Sequence, residues 1–265
     1  MSTESESADW WATGIVRMAP GELDLRGIPV QELIGSVGFV AMIWLMVLGE
    51  LPGARQAALL EAALVASVDH GPQAPSIAIA RMTATCGVGL NNAMASGVNA
   101  LGDAHGGAGQ QCVAALTEII DATDAGEDLD AAVAQVVERH RYFPGFGHRF
   151  HPVDPRRDPL LTLVDQAVAD GVVDGRYLRA ARAVEAFLNE GRGKPVPMNI
   201  DGATAVIYAE LGFAPELARG LFVLSRSVGI LAHAWEETTQ GKRNKGPIPR
   251  SILPTYRPAG PPPRN

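Results

Sequence analysis

Cysteine is nearly absent from this 265-residue chain: Cys86 and Cys112 are the only two, and they form no CxxC pair. A disulfide framework is thereby excluded, a reducing compartment fits, and both thiols read as small buried hydrophobes. Positive charge is also short, with 22 Lys and Arg against 29 Asp and Glu and a formal net charge of −7. Such a field repels phosphate polymers, so nucleic acid is not an expected partner. The N-terminus, MSTESESADWW, lacks the basic region and apolar stretch of a secretory signal, and a cytoplasmic location is expected. One long uncharged run exists, Leu33 to Gly49. It falls short of a spanning helix, has no basic flank and contains Gly35, Ser36 and Gly38, so it reads as a buried core helix and a membrane is not expected. Alternating polar and apolar positions are scarce; 171–173 and 196–200 are expected to pair at most briefly. No repeat of roughly 20–50 residues is visible, which disfavours a solenoid.

What the chain does have is 47% hydrophobic against 19% charged residues, the balance of a packed globule. Its apolar residues recur at helical spacing in 56–68, 111–123, 130–140 and 179–190. Breakers punctuate these runs at Leu51-Pro52-Gly53, Gly71-Pro72, Gly106-Gly107, Pro144-Gly145 and Gly191-Arg192-Gly193. The expected fold class is therefore mainly α. Residues 246–265 hold too many prolines for a helix and are expected to run as an extended arm.

Three segments place an ionisable residue beside glycines at a helix boundary. In Gly102-Asp103-Ala104-His105-Gly106-Gly107 the histidine precedes a helical run, where the positive end of the helix dipole disfavours imidazolium and suits a neutral hydrogen-bond donor. In Pro144-Gly145-Phe146-Gly147-His148-Arg149, followed by Asp154-Pro155-Arg156, the glycines let backbone approach a ligand and two arginines can grip carboxylates. In Asn199-Ile200-Asp201-Gly202 the acid opens a helix, either as a plain N-cap or as a carboxylate tuned by burial into a base.

In this order the three segments resemble the HGG, GFGH…DPR and N-[VI]-D elements of the citrate synthase superfamily. Gly49-Glu50-Leu51-Pro52, Asp69-His70-Gly71 with Pro75-Ser76, and the segment from Phe222 through Ser225-Arg226-Ser227 to Gly229 extend the resemblance over nearly the whole chain. The resemblance implies a citrate synthase-like helical fold: a large domain of residues 1–105 plus 206–265, and a smaller inserted domain, 106–205. It implies Asp201 as the carboxylate that moves the acetyl-methyl proton, His105 as donor to the thioester oxygen, and His148 as the group at the ketone or tertiary alcohol. His70, Arg156 and Arg226 match positions that bind the carboxylates of the acid, while Arg149 and Lys194 are candidates for the phosphates of coenzyme A. The basic cluster Lys242-Arg243-Asn244-Lys245 either reaches those phosphates or is solvated. Of the remaining histidines, His140 reads as a cation at a helix end, His233 as a helix-packing residue, and His151 is open.

The reaction implied is cleavage of citryl-CoA to acetyl-CoA and oxaloacetate, with coenzyme A as part of the thioester substrate and no metal. Two alternatives stand beside it: condensation of an acyl-CoA with a 2-oxo acid, and a non-catalytic CoA-binding relative. The compact length and the HGG form around His105 resemble the free-standing citryl-CoA lyases. Pro152 stands where the family carries a basic residue, leaving Arg149 or His151 to replace it. A homodimer is implied, with Arg250, or else Arg257, completing the neighbouring subunit's site.

Overall fold

Runs of alanine and leucine bounded by glycine and proline set the helix limits in the computed structural model, which describes residues 9–148 and 152–258. Arg149 and His151 lie outside the described residues. In chain order the elements are β1 (Val16–Ala19), β2 (Glu22–Leu25), β3 (Ile28–Pro29), α1 (Val30–Leu33), α2 (Phe39–Leu48), α3 (Ala54–Ser67), α4 (Pro75–Ala84), α5 (Leu90–Asn99), α6 (Ala108–Asp124), α7 (Leu129–Glu138), α8 (Arg157–Ala169), α9 (Arg176–Asn189), α10 (Ile200–Glu210) and α11 (Pro215–Thr239). The chain is mainly α, as its spacing predicts.

Three local expectations fail. Cys86, expected to be buried, is exposed, while Cys112 is buried as expected. β1, β2 and β3 form an antiparallel meander, with Val16 opposite Leu25 and Asp24 opposite Pro29. Its strands are short, four, four and two residues, and bury no apolar stripe: the one buried residue is Asp24, gripped by Arg17 Nε at 2.6 Å. The uncharged run 33–49 is not a single buried helix. It breaks between α1 and α2, and α2 buries only Trp44 and Leu45 while Phe39 is 81% exposed. Among the described residues the one helix long and apolar enough to cross a membrane is α11, which also carries the buried ions Arg226 and Glu237.

The chain divides into two compact units, grouped differently from the expected domains. The first comprises residues up to Ser67 with Ala108–Leu221, the second Val68–Gly107 with the residues from Phe222 onward. In the first unit α10 is buried along nearly its whole length, and α6, α9, α8 and α3 pack around it. Leu116, Ile119, Val164, Val184, Val206 and Ile207 form the centre of this core. The carboxylate of Glu210, at the end of α10, accepts the N–H groups of Gly175 (2.9 Å) and Leu178 (3.0 Å) and so caps α9.

In the second unit α4 and α5 pack against each other, and Ile77, Ala80, Ala93, Ile230 and Ala234 make a small core with the C-terminal part of α11. Small side chains allow the close crossing: a Cβ on Gly97 of α5 would lie 2.8 Å from the Ser76 carbonyl and 3.0 Å from Ile230 Cγ2. Glu237, 0% exposed, is neutralised by Arg81 Nε from α4 and by Lys245 Nζ, each at 2.7 Å. Burial alone would raise its pKa; the two cations hold it below the ordinary carboxylate value. The Lys245 N–H also bonds Thr85 Oγ1 (2.9 Å), so the start of the C-terminal segment is fastened down rather than solvated. Beyond it no regular element appears as far as residue 258.

Two glycine substitutions should therefore behave oppositely. Gly97→Ala overpacks the crossing of α4 and α5 and is expected to destabilise by about 1–3 kcal/mol. Gly220→Ala, in an open stretch of α11 with nothing within 4 Å, should stabilise by about 0.5–1 kcal/mol. Thermal melts of the two variants beside the parent check both signs.

Candidate active site

The first unit assembles its polar groups at the start of α10. Gly145, at φ +82°, passes so close to Gly202 that a Cβ on Gly145 would lie 2.8 Å from Gly202 Cα, and one on Gly202 would lie 2.4 Å from the Gly145 carbonyl oxygen. Only glycine fits on either side. Asn199 then locks the two segments: its N–H donates to Gly145 O (2.9 Å), its Nδ2 to Gly147 O (2.7 Å), and Gly147 N–H donates to Pro197 O (2.7 Å). Phe146 and Met198 form an antiparallel bridge between them, the brief pairing expected near 196–200.

Asn199 is also the N-cap of α10, its Oδ1 accepting from Asp201 N (2.9 Å) and Gly202 N (3.3 Å). The N-cap role left open for Asp201 thus belongs to Asn199, and Asp201 sits inside the first turn. Its charge faces two buried weak acids: burial first, and Asp201 second, push the Cys112 thiol and the Tyr208 phenol above their usual values.

His148 has a side chain only 9% exposed, with Nε2 3.8 Å from Asp154 Oδ2. Asp154 is the hub here. Its Oδ1 accepts from Arg156 N (3.1 Å) and Nε (3.0 Å), and its Oδ2 from Arg156 Nη2 (2.9 Å) and Ile200 N (3.2 Å). Burial raises the Asp154 pKa, but these donors and the Arg156 charge outweigh it and hold the group at about 2. Arg156 reaches on to the Ala66 carbonyl at 3.3 Å, so the guanidinium expected at a substrate carboxylate is also a structural clamp. Lys194 is exposed on the loop after α9 and makes no hydrogen bond or ion pair among the described residues. Arg149, the other candidate for the phosphates, falls outside them.

The second unit holds His70, His105, Arg226 and Arg250. His105 occupies a tight turn in which Gly102 N–H donates to His105 O (2.9 Å) and His105 N–H to Gly102 O (3.2 Å). Its Nε2 accepts the Ser76 N–H at 3.1 Å, with Ser76 Oγ at 3.0 Å. Ser76 follows Pro75 in the first turn of α4, where backbone donors are free. Within its unit, then, the helix N-terminus that His105 meets is that of α4, whereas the sequence pointed to the helical run directly after it. Because Nε2 is an acceptor, the neutral ring carries its proton on Nδ1. Burial first, and the nearby Arg226 charge second, lower the His105 pKa and keep the ring neutral.

Arg226 is only 5% exposed, its guanidinium carbon 4.8 Å from the centroid of the Phe222 ring, far from the surface-helix alternative. His70 is exposed on a turn braced by Asp69, whose Oδ2 accepts the Gly71 N–H at 3.0 Å. Arg250 and Arg257 are exposed in the C-terminal segment. Five residues with structural roles at these positions were not singled out from sequence: Asn199, Asp154, Ser76, Asp69 and His233. Asn199, Asp154, Asp69 and Ser76 stand in the matched strings without having been given a role there, whereas His233 read only as a helix-packing residue.

A family model described as citrate synthase, C-terminal domain, matches residues 54–259. The structure of citryl-CoA lyase from Hydrogenobacter thermophilus is 32% identical and aligns with a TM-score of 0.84 over 95% of this chain and 96% of that one. The citrate synthase of Haloferax volcanii is 28% identical over 215 residues, 80% of this chain and 55% of that protein; the chain thus spans about half the length of this curated relative. ATP citrate lyase from Methanothrix soehngenii, solved in complex with citrate and coenzyme A, aligns with a TM-score of 0.77 over 98% of this chain and 45% of that one, at 20% identity, which shows the fold alone.

The depressed Asp154 pKa has a pH signature. A carboxyl at about 2 when folded, against an ordinary 3.8, contributes stability that is fully present above pH 4 and lost as pH falls toward 2. Asp154→Asn should lower stability at neutral pH by roughly 3 kcal/mol, because Arg156 loses its partner. It should also flatten the fall in melting temperature between pH 4 and 2, as thermal melts across that range will read.

Proposed function

Because the chain belongs to the citrate synthase family, we propose that it is an enzyme that cleaves citryl-CoA to acetyl-CoA and oxaloacetate by a retro-Claisen reaction. The observation that carries this reading is His105, neutral by burial and by Arg226, with Nε2 occupied by Ser76 N–H and Nδ1–H left to donate. A thioester carbon leaving as an enolate needs such a preorganised donor at its oxygen. The identity and nearly end-to-end alignment with citryl-CoA lyase from Hydrogenobacter thermophilus favour cleavage over condensation as the reaction of this family member.

In this mechanism each group has one proton or one charge to handle. His148, neutral at the start of the step and with Nε2 3.8 Å from the Asp154 carboxylate, takes the proton from the tertiary alcohol. The oxygen lone pair becomes the ketone of oxaloacetate, and the carbon–carbon bond breaks toward the thioester. His105 Nδ1–H donates to the enolate oxygen that forms. Asp201, entering in its acid form, gives a proton to the methylene carbon to complete acetyl-CoA, and the proton held by His148 returns to solvent as Asp201 is reprotonated. His70, Arg156 and Arg226 bind the carboxylates, and Lys194 with Arg149 takes the phosphates of coenzyme A. The working unit is a homodimer of about twice 27.9 kDa, with Arg250 contributed across it.

A second reading, condensation of an acyl-CoA with a 2-oxo acid, is favoured by the curated relatives that are citrate synthases. Incubation with citryl-CoA, and separately with acetyl-CoA plus oxaloacetate, separates the two. A lyase releases acetyl-CoA from the first mixture, whereas free coenzyme A and citrate from the second would establish a synthase and overturn the cleavage reading.

Asp201→Asn is expected to slow turnover and proton exchange at the acetyl methyl by about 10²–10⁴-fold with ligand binding nearly intact; undiminished exchange removes Asp201 from the chemistry. Truncation after Gly246 keeps Lys245 on Glu237 and should leave a dimer, by sedimentation, that has lost activity.

A further inference from the structure

Four residues of α11 lie on one face, spaced three and four apart: Arg226, Gly229, His233 and Glu237. Each meets the 68–107 segment of its own unit. Arg226 acts electrostatically on His105, and Glu237 binds Arg81. At Gly229 the chain presses so closely that a Cβ would lie 2.2 Å from the Val68 carbonyl oxygen. His233 faces Asp69, its Nε2 3.2 Å from Oδ1.

The Asp69 carboxylate is divided between two tasks. One oxygen accepts the Gly71 N–H at 3.0 Å, and the other, buried, has the His233 ring beside it. Burial raises the Asp69 pKa, but the Gly71 N–H, the His233 ring and the His70 backbone N–H more than reverse this, so the carboxylate stays ionised. The Asp69-His70-Gly71 turn is thus closed from inside by one carboxylate and fixed from outside by α11. His233 itself is badly placed for mere packing: its Nδ1 is buried without a hydrogen-bond partner, a penalty of about 1–3 kcal/mol that a leucine would not incur. What the ring supplies is the contact with Asp69.

We propose that His233, through Asp69, is the positioning residue that fixes the His70 turn for recognition of the substrate's carboxylates. The inference rests on the reading of His70 as a carboxylate ligand. Replacing His233 removes the ring nitrogen 3.2 Å from the buried Asp69 Oδ1, so the turn loses its outer support and His70 its fixed direction.

The test measures oxaloacetate affinity by titration, and coenzyme A affinity as a control, for His70→Ala, His233→Ala, His233→Gln and the double alanine variant, each checked by its melting temperature. His70→Ala and His233→Ala are each expected to weaken oxaloacetate about tenfold, the loss of one charged hydrogen bond expressed as a ratio, with coenzyme A unaffected. His233→Gln, whose amide N–H can still reach Asp69, should restore most of the affinity. The double variant should bind no worse than His70→Ala, because the two act as one unit. If His70→Ala weakens binding while both His233 variants match the parent, the positioning role is overturned and the His70 reading survives. Additive losses in the double variant likewise overturn it. If His70→Ala itself matches the parent, the carboxylate reading falls and takes this inference with it. Should His233→Ala fail to fold, Asp69→Asn replaces it in the same cycle, with the same outcomes.

Discussion

Two glycine backbones in contact, Gly145 against Gly202, set the geometry on which the first unit's chemistry depends. Any side chain at either position would separate the loop before His148 from the first turn of α10. Contact between bare backbones is stiff, because no rotamer can absorb a misfit. Asn199 turns that contact into a register: its backbone and side chain bond both glycines that flank Phe146. Asp154 then adds the third segment by taking Ile200 N–H and the Arg156 guanidinium together. Asp201 and His148 are thus held by Asn199 and Asp154 through backbone and side-chain bonds.

The second unit reaches the same end by different means. Its core is small, built on alanines, and much of its definition is electrostatic: the Arg226 charge near His105, the Asp69–His233 contact, and Glu237 between Arg81 and Lys245. Buried ions add little net stability once desolvation is counted, yet a misaligned arrangement leaves a charge without a partner. A small core held this way is specific in register even where its apolar area is modest.

What could be read in the sequence divides along the same line. Helices follow a local period and were legible for that reason, and His105, His148 and Asp201 stand in short strings whose neighbours drew attention to them. Ser76 is 29 residues from His105 in sequence, and Asp69 precedes His233 by 164; only the folded chain brings such pairs together. The β1–β3 meander was hidden for another reason. Its strands are only four, four and two residues long, too short for the alternation in Glu22-Leu23-Asp24-Leu25 to stand out as a strand. That Asn199 rather than Asp201 is the cap needed the folded chain.

The Lys245 anchor gives the proline-rich tail a leash of known length. Arg250 lies five residues beyond the anchor, and five residues of fully extended chain span about 17 Å. Pro247 and Pro249 fall within the leash and stiffen it, because each fixes its own backbone φ. The guanidinium is thereby confined to a small sphere around the buried Glu237, which raises its local concentration at any acceptor inside that sphere and puts anything outside it beyond reach.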